Sequence, residues 1–292
     1  ETDIVTPIKH PVSSPYHVNT FITQSSVFGQ HEAKSTASDF TWETGDNCDF
    51  KVYVIKKDNS TQRGYFKIVS DSLGVDLETG VYEDLFNNQR WNLAVRIKPE
   101  HFAKDGGILF TTPPQYTFEF YGVNYALDNI HNEFSLSKTI SNTLGKTFLS
   151  SRKRIYAGAH RQNFTGSIID KTDIKIGSVR VWLDYLENET IKNHALDPTN
   201  YGANLRAYSN STMFNSGLLN FHIPKYDSLV LSWDFDNVIS STAAGEFQVL
   251  DRSSGSVDTI YGWIDNIIRR NHEGQGFGFP SLSKSMIDVD SL

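Results

Sequence analysis

Cysteine, long apolar runs and excess positive charge are scarce or missing in the sequence, and each scarcity excludes a class of protein. Cys48 is the only cysteine among 292 residues, which excludes an intramolecular disulfide framework and a zinc site built from several cysteines. No apolar run approaches the roughly 20 residues that a membrane-spanning helix requires. The formal net charge of -7 and a charged fraction of 21% describe a mildly acidic surface. Non-specific binding of nucleic acid is therefore not expected.

Motifs of common catalytic and phosphate-binding sites are also missing. The nine histidines show no His-x-x-x-His or His-Glu-x-x-His spacing, which is the pattern of helical metal sites. No Gly-x-x-x-x-Gly-Lys loop occurs. The glycine-rich residues 274–278 follow a helix predicted at residues 261–270, so they cannot present a helix N-terminus to a phosphate. His160 and His194 are interpreted as structural residues, and no cofactor is expected.

Aromatic residues and short alternating segments are abundant. Aromatics make up 13% of the chain. Apolar and polar residues alternate cleanly over residues 91–97 and again over residues 116–121, which is typical of half-buried antiparallel strands. Similar strands are predicted at residues 50–55, 64–69, 107–110, 134–136, 229–235 and 247–250. Many short strands separated by turn residues favour an all-β sandwich.

Two stretches carry a resemblance to a known family. Residues 155–182 contain Ile-Tyr-Ala-Gly-Ala, Asn-Phe-Thr-Gly and Ile-x-Ile-Gly-x-Val-Arg-Val-Trp, and residues 89–97 read Gln-Arg-Trp-Asn-Leu-Ala-Val-Arg-Ile. This order resembles the strands of laminin-G-like domains of the concanavalin A-like lectin and glucanase superfamily. The resemblance implies a two-sheet antiparallel jelly-roll sandwich, and the ends of the chain, which lack a regular pattern, are interpreted as extended terminal segments.

A second resemblance concerns the C-terminal part. The segment Asp-Ser-Leu-Val-Leu-Ser-Trp-Asp-Phe at residues 227–235, followed by Phe-x-Val-x-Asp-x-Ser-Ser-Gly at residues 247–255, is similar to segments of large structural proteins in tailed-phage virions. There such segments lie next to lectin-like domains. This resemblance implies a location in a virion.

The chain is predicted to have three parts. Residues 1–38 contain three prolines and little pattern, and are interpreted as an extended arm. Residues 39–205 form the lectin-like sandwich. Residues 206–292 form a C-terminal β segment with a glycine-rich tail. Because the chain starts at Glu1 and not at Met, we expect a processed protein or a piece of a longer one.

Glycoside hydrolysis is not expected. The glucanase branch of the superfamily carries three alternating acidic residues on one strand, where one carboxylate acts as nucleophile and another as acid. No such strand occurs here, and Glu119 is the only acidic residue of its strand. The chain is therefore not expected to be an enzyme.

Sugar binding and calcium binding stay open. The end of a predicted strand and the residues after it combine aromatic rings with amide and carboxylate groups, at Tyr121, Asn124, Tyr125 and Asp128. This combination suits a sugar site, an aromatic loop that closes the edge of the sandwich, or a protein interface. Calcium requires six to eight oxygen ligands. The spaced pairs Asp234 with Asp236 and Asp170 with Asp173 are the candidates, with solvated acidic residues as the simpler interpretation.

These inferences converge on a structural role. We expect a virion protein of a tailed phage that acts through contacts with other virion subunits, as a homo- or hetero-oligomer. The alternative is a carbohydrate-binding module for host attachment to a cell-surface glycan, with glycoside hydrolysis third.

Overall fold

The structure is a computed structural model. It describes residues 2–5, 24–33, 47–58, 62–100, 115–161, 168–197, 225, 228–241, 247–251 and 253. The chain divides into two compact units. The first comprises Thr2–Ala126 and Ile130–Gly177; the second comprises Glu1, Leu127–Asn129 and Ser178–Leu292. The predicted strand at residues 107–110, the predicted helix at residues 261–270 and the glycine-rich tail lie outside the described residues.

The first unit contains two antiparallel sheets. One sheet has the order β5-β4-β3-β2-β9, with strands β2 (Gln24–Glu32), β3 (Phe50–Lys56), β4 (Gly64–Ser70), β5 (Val75–Glu78) and β9 (Lys153–Ala157). The other contains the order β1-β6-β7-β8, with strands β1 (Thr2–Val5), β6 (Arg90–Pro99), β7 (Tyr116–Ala126) and β8 (Asn129–Ile140). Helix α1 (Asn142–Ser150) follows β8, and a small hairpin consists of β10 (His160–Arg161) and β11 (Ile168–Asp170).

Both sheets of the first unit contribute to one apolar core. Phe50, Val52 and Phe66 come from the five-stranded sheet, while Trp91 and Phe118 come from the other sheet. Phe66 meets Trp91 edge to face with ring centroids 4.9 Å apart, an arrangement that stabilises an aromatic pair beyond its burial. The core therefore lies between the two layers. The prediction of an all-β protein with antiparallel sheets is confirmed.

The single cysteine belongs to this core. Cys48 is fully buried and precedes β3. Its thiol lies 3.7 Å from the carbonyl oxygen of Arg152. A buried thiol of this kind behaves as a small apolar side chain.

The second unit contains its own antiparallel strands. Strand β12 (Lys175–Trp182) starts in the first unit and continues into the second, where it pairs with β13 (Leu229–Ser241). Strand β14 (Phe247–Asp251) pairs with β13. Helix α2 (Asn188–Leu196) ends before Asp197. The boundary between the units after Gly177 lies inside the predicted sandwich of residues 39–205 and not at its end.

The predicted extended arm over residues 1–38 is wrong for residues 24–32. These residues form β2, which pairs with β3 on one side and with β9 on the other. Ser25, Ser26, Gln30 and His31 are buried there. Because polar residues are buried on both faces of this strand, the sequence lacks the alternation that would have identified it.

The expectation that residues 91–97 are half-buried also needs correction. Trp91 and Leu93 face the core, as predicted, but Asn92 and Ala94 on the other face are buried as well. Within the described ranges, no helix is long and apolar enough to cross a membrane.

Candidate functional site

A group of polar side chains lies on the face of β6 and β7 opposite the apolar core. We call Arg96, Lys98, Glu119, Tyr121 and Glu133 the charged face. Side chains alternate between the two faces of a strand. Because Trp91 and Phe118 face the core, Arg96 and Lys98 on β6 and Glu119 and Tyr121 on β7 share the opposite side. The register places Arg96 directly across from Glu119.

The centre of the charged face is a buried ion pair. Arg96 Nη2 lies 3.1 Å from Glu119 Oε2, with the two side chains only 6% and 10% exposed. Lys98 Nζ lies 3.0 Å from the second oxygen, Oε1. Both carboxylate oxygens of Glu119 are therefore engaged by cations. Removing one partner from such a pair leaves a buried charge without compensation, which is strongly destabilising.

Tyr121 connects this ion pair to strand β8. The Arg96 guanidinium lies 5.0 Å from the centroid of the Tyr121 ring, within the range of a cation–π interaction. The Tyr121 hydroxyl donates to Glu133 Oε1 at 2.7 Å. Burial, together with this bond to a carboxylate, raises the pKa of Tyr121 far above its usual value. The residue therefore stays neutral and holds β7 to β8.

The structure separates the residues of the predicted sugar site. Tyr121 and Asn124 are buried and, three positions apart on one strand, face opposite sides of the sheet. Asn124 Nδ2 donates to Gln89 Oε1 at 3.2 Å, and its own Oδ1 accepts from Asn132 at 3.4 Å. The Tyr121 ring is thus not presented as an exposed stacking platform. Tyr125 is half-buried and Asp128 is exposed. Of the four residues of the predicted sugar site, these two are therefore the ones accessible to a ligand.

A second polar group, the Asp170 cluster, joins hairpin β10–β11 to the five-stranded sheet. It consists of Tyr53, Tyr156, His160 and Asp170. Tyr53 donates to Asp170 Oδ2 at 3.2 Å, and His160 Nδ1 lies 3.7 Å from the same oxygen. The ring of His160 stacks on Tyr156 with centroids 4.4 Å apart. Sequence reasoning considered His160 and Asp170 separately, and only the register that pairs them across the hairpin brings them together.

The candidate metal residues are placed differently from one another. Asp170 belongs to the cluster just described, while the side chains of Asp234 and Asp236 lie outside the described residues. In the parts of the chain that the structure describes, no group of three or more His, Cys, Asp or Glu residues has a metal-ligand arrangement. Glu119, the acidic residue weighed for hydrolysis, is engaged by Arg96 and Lys98.

The two polar groups differ in their chemistry. The charged face is a network of ion pairs and a cation–π contact, whereas the Asp170 cluster is a single carboxylate among aromatic rings. Both connect neighbouring strands, and in both the central side chain, Glu119 or Asp170, is already engaged by partners. No protein family, no curated protein and no solved structure matches this chain.

Proposed function

We propose that this chain is a structural protein of a tailed-phage virion, not an enzyme, and that it acts through contacts with neighbouring virion subunits. The support comes from two resemblances that fall on strands. The laminin-G-like motifs fall on β6, β9 and β12. The virion-like segments fall on β13 and β14. The proposal includes a jelly-roll strand order, which is a more specific claim than an all-β architecture.

The observation that carries the proposal is strand β8. It has twelve residues and is the last strand of its sheet among the strands that the structure describes. Most of its residues are exposed. An edge strand of this length offers a row of backbone donors and acceptors with which a strand of another subunit can pair.

The side chains of β8 provide little protection against such pairing. Proteins usually protect an exposed edge with lysine, proline or a bulge. Ser135, Ser137 and Thr139 are small and exposed on β8. Lys138 donates to the carbonyl oxygen of Gly74, and Glu133 accepts from Tyr121. The two charges that could repel a partner strand are therefore held by contacts within the chain.

The experiment places two lysines on this edge. In the double variant S135K/S137K, light scattering should show that the discrete oligomers of the wild-type chain dissociate to smaller species. The control is S150K at the exposed end of α1, which adds a lysine outside β8 and should leave the mass unchanged. A wild-type chain that is a clean monomer at all concentrations would overturn the proposal.

A carbohydrate-binding module is the second candidate. Tyr125 within β7 is partly exposed, and Asp128 in the turn after β7 is exposed, which favours it over hydrolysis. A glycan array would detect binding by the wild-type chain. Loss of that signal in Y125A, but not in the control Y65A on β4, would support this function in place of assembly.

A further inference from the structure

The hairpin β10–β11 extends from the five-stranded sheet, and the chain contacts strand β2 both before and after it. Where β9 ends, the amide of Gly158 donates to the carbonyl oxygen of Val27 at 2.7 Å. The chain then forms the hairpin and returns to the same strand, where the amide of Ser26 donates to the carbonyl oxygen of Lys171 at 2.8 Å. Thr172 Oγ1 donates to the carbonyl oxygen of Ser26 at 2.6 Å. Backbone contacts with β2 therefore fix both ends of the hairpin.

Further out, side chains hold the hairpin. His160 and Asp170 face each other across its two strands. The Asp170 side chain is 22% exposed and His160 is 1% exposed. Asp170 accepts from Tyr53 on β3, which links the second strand of the hairpin to the middle of the sheet. A hydrogen bond to a charged acceptor contributes more than one between neutral groups.

The surface under the hairpin is aromatic and buried. His160 stacks on Tyr156 of β9 at an interplanar angle of 27°, and the His31 ring on β2 lies 6.1 Å from His160. Burial raises the pKa of Tyr156 well above its usual value. If the hairpin moved away from the sheet, these rings would be exposed to water.

The groups around Asp170 favour its charged form. His160 on β10 contributes most to lowering the pKa of the Asp170 carboxyl, and Tyr53 and Lys51 on β3 add to the effect. Partial burial acts in the opposite direction and is outweighed. The other titratable groups that face the cluster are Tyr156 on β9 and His31 on β2, which faces His160.

We propose that the carboxylate of Asp170 is a latch that holds hairpin β10–β11 on the sheet, and that neutralising it opens the hairpin while the sheets stay folded. The fixed ends at Gly158 and Lys171 act as the hinge. The carboxylate contacts both Tyr53 on the sheet and His160 on the hairpin. Opening then exposes the ring surface of Tyr53, Tyr156 and His160.

Hydrogen exchange of the full chain at neutral pH tests the latch. In D170N, the amides of β10 and those of Ile168 and Ile169 on β11 should lose protection by roughly tenfold, since a hydrogen bond to a charged group is replaced by a neutral contact. The amides of β3 and β4 should keep their protection. Y53F should give a smaller loss in the same segment, because it removes the hydroxyl and leaves the contact with His160.

The matched control is D184N. Asp184 is also a carboxylate with a lowered pKa, caused mainly by its bond with Lys225, and it lies in the second unit. D184N should leave the protection of these β10 and β11 amides unchanged. If D170N leaves the hairpin as protected as in wild type, or if all strands of the first unit lose protection equally, the latch is refuted.

The wild-type chain provides a test that needs no substitution. A lowered pKa in the folded state contributes stability that is present above the carboxyl's ordinary value of about 3.9 and is lost as pH falls through the folded value. After correction for intrinsic exchange, hairpin protection should be constant from pH 7 to about 5 and should decrease below about 4. A hairpin that keeps its protection throughout that acidic range, while the sheets remain folded, contradicts the proposal.

Discussion

Leu127 has a backbone conformation that few leucines adopt. Its φ is 56° and its side chain is 95% exposed in the turn after β7. For an L-residue with a Cβ, this left-handed region costs roughly 1–2 kcal/mol, whereas asparagine and glycine tolerate it better. The exposed side chain offers little compensating burial.

We therefore expect L127N to stabilise the chain by roughly 0.5–1 kcal/mol. Urea unfolding would show a higher midpoint with an unchanged slope. The control is L183N, at a leucine that is 79% exposed and does not have a positive φ. An equal shift in both variants would assign the gain to lost surface hydrophobicity and not to backbone strain.

Gly122 marks a close approach between β7 and its neighbours. A Cβ built at this position would overlap the Phe134 ring on β8 and approach Leu93 on β6 to 2.8 Å. Those groups belong to the apolar core or pack against it, so they have little room to move. Overpacking of a core typically costs 1–3 kcal/mol.

G122A should accordingly lower the free energy of unfolding by roughly 1–3 kcal/mol. The matched control is G80A, because a Cβ at Gly80 meets nothing within 4 Å. Chemical denaturation of both variants tests this prediction. Similar midpoints for G122A and G80A would mean that the strands can separate locally without cost.

At the scale of elements, Lys153 completes helix α1. Its ammonium donates to the carbonyl oxygens of Phe148 at 2.8 Å, Ser151 at 2.9 Å and Leu149 at 3.2 Å. The last carbonyl groups of a helix lack partners within the helix, and a cation is favourable there. The helix itself has no basic residue in its last turn, so this role falls to the first residue of β9.

K153M keeps the apolar stem of the side chain and removes the charge. We expect a loss of roughly 1–2 kcal/mol, because three hydrogen bonds at a helix end are replaced by solvent. Thermal unfolding followed by circular dichroism would show a lower midpoint than wild type. K146M, at an exposed position inside α1, is the control, and a shift as large as that of K153M would rule out the capping explanation.

The elements that sequence reasoning identified are those with one apolar face. Strands β6 and β7 alternate cleanly because the core contacts only one side of each. Helix α1 was missed because Gly145 and several serines and threonines disfavour a helix locally, while Gly145 in fact allows close packing on Tyr116. The assignment of Glu119 and Tyr121 to one face could be predicted from alternation. Their burial could not, since it depends on what covers that face.

At the scale of the whole molecule, buried tyrosines couple stability to alkaline pH. Burial raises the pKa of Tyr82 to about 12, and that of Tyr53 and Tyr121 further, with a carboxylate beside each hydroxyl contributing. The unfolded chain loses these protons near pH 10, while the folded chain retains them. A folded pKa above the unfolded one means that stability is lost as pH rises.

The free energy of unfolding should therefore fall between about pH 10 and pH 12. Tyrosinate absorbance during an alkaline titration should show part of the tyrosines ionising only as the fold is lost. Y82F, which keeps the ring in the core, should reduce the decrease in stability across this window. An ionisation curve in which every tyrosine titrates near pH 10 with the fold intact would contradict the burial of these hydroxyls.

The division of the whole chain was the least predictable feature. The segment whose motifs resemble laminin-G-like domains extends over residues 155–182, yet the compact units separate after Gly177. The apolar alternation of β12 changes phase at Gly177 and Ser178, but such a shift is equally typical of a β-bulge inside one sheet and does not by itself indicate a boundary. The position of such a boundary depends on which strands pair across long sequence separations. The composition of the chain does not indicate those pairings.

The burial of Cys48 makes its thiol a natural probe of how often the core of the first unit opens. A thiolate reacts with a labelling reagent only when the reagent reaches it, and this sulfur is fully enclosed in the core of the first unit. Because the sequence has no second cysteine, every modified molecule has exposed this thiol to the reagent at least once. The pace of modification, read by mass spectrometry from minutes to days, thus measures how often the enclosed interior becomes accessible, without any dye or engineered residue.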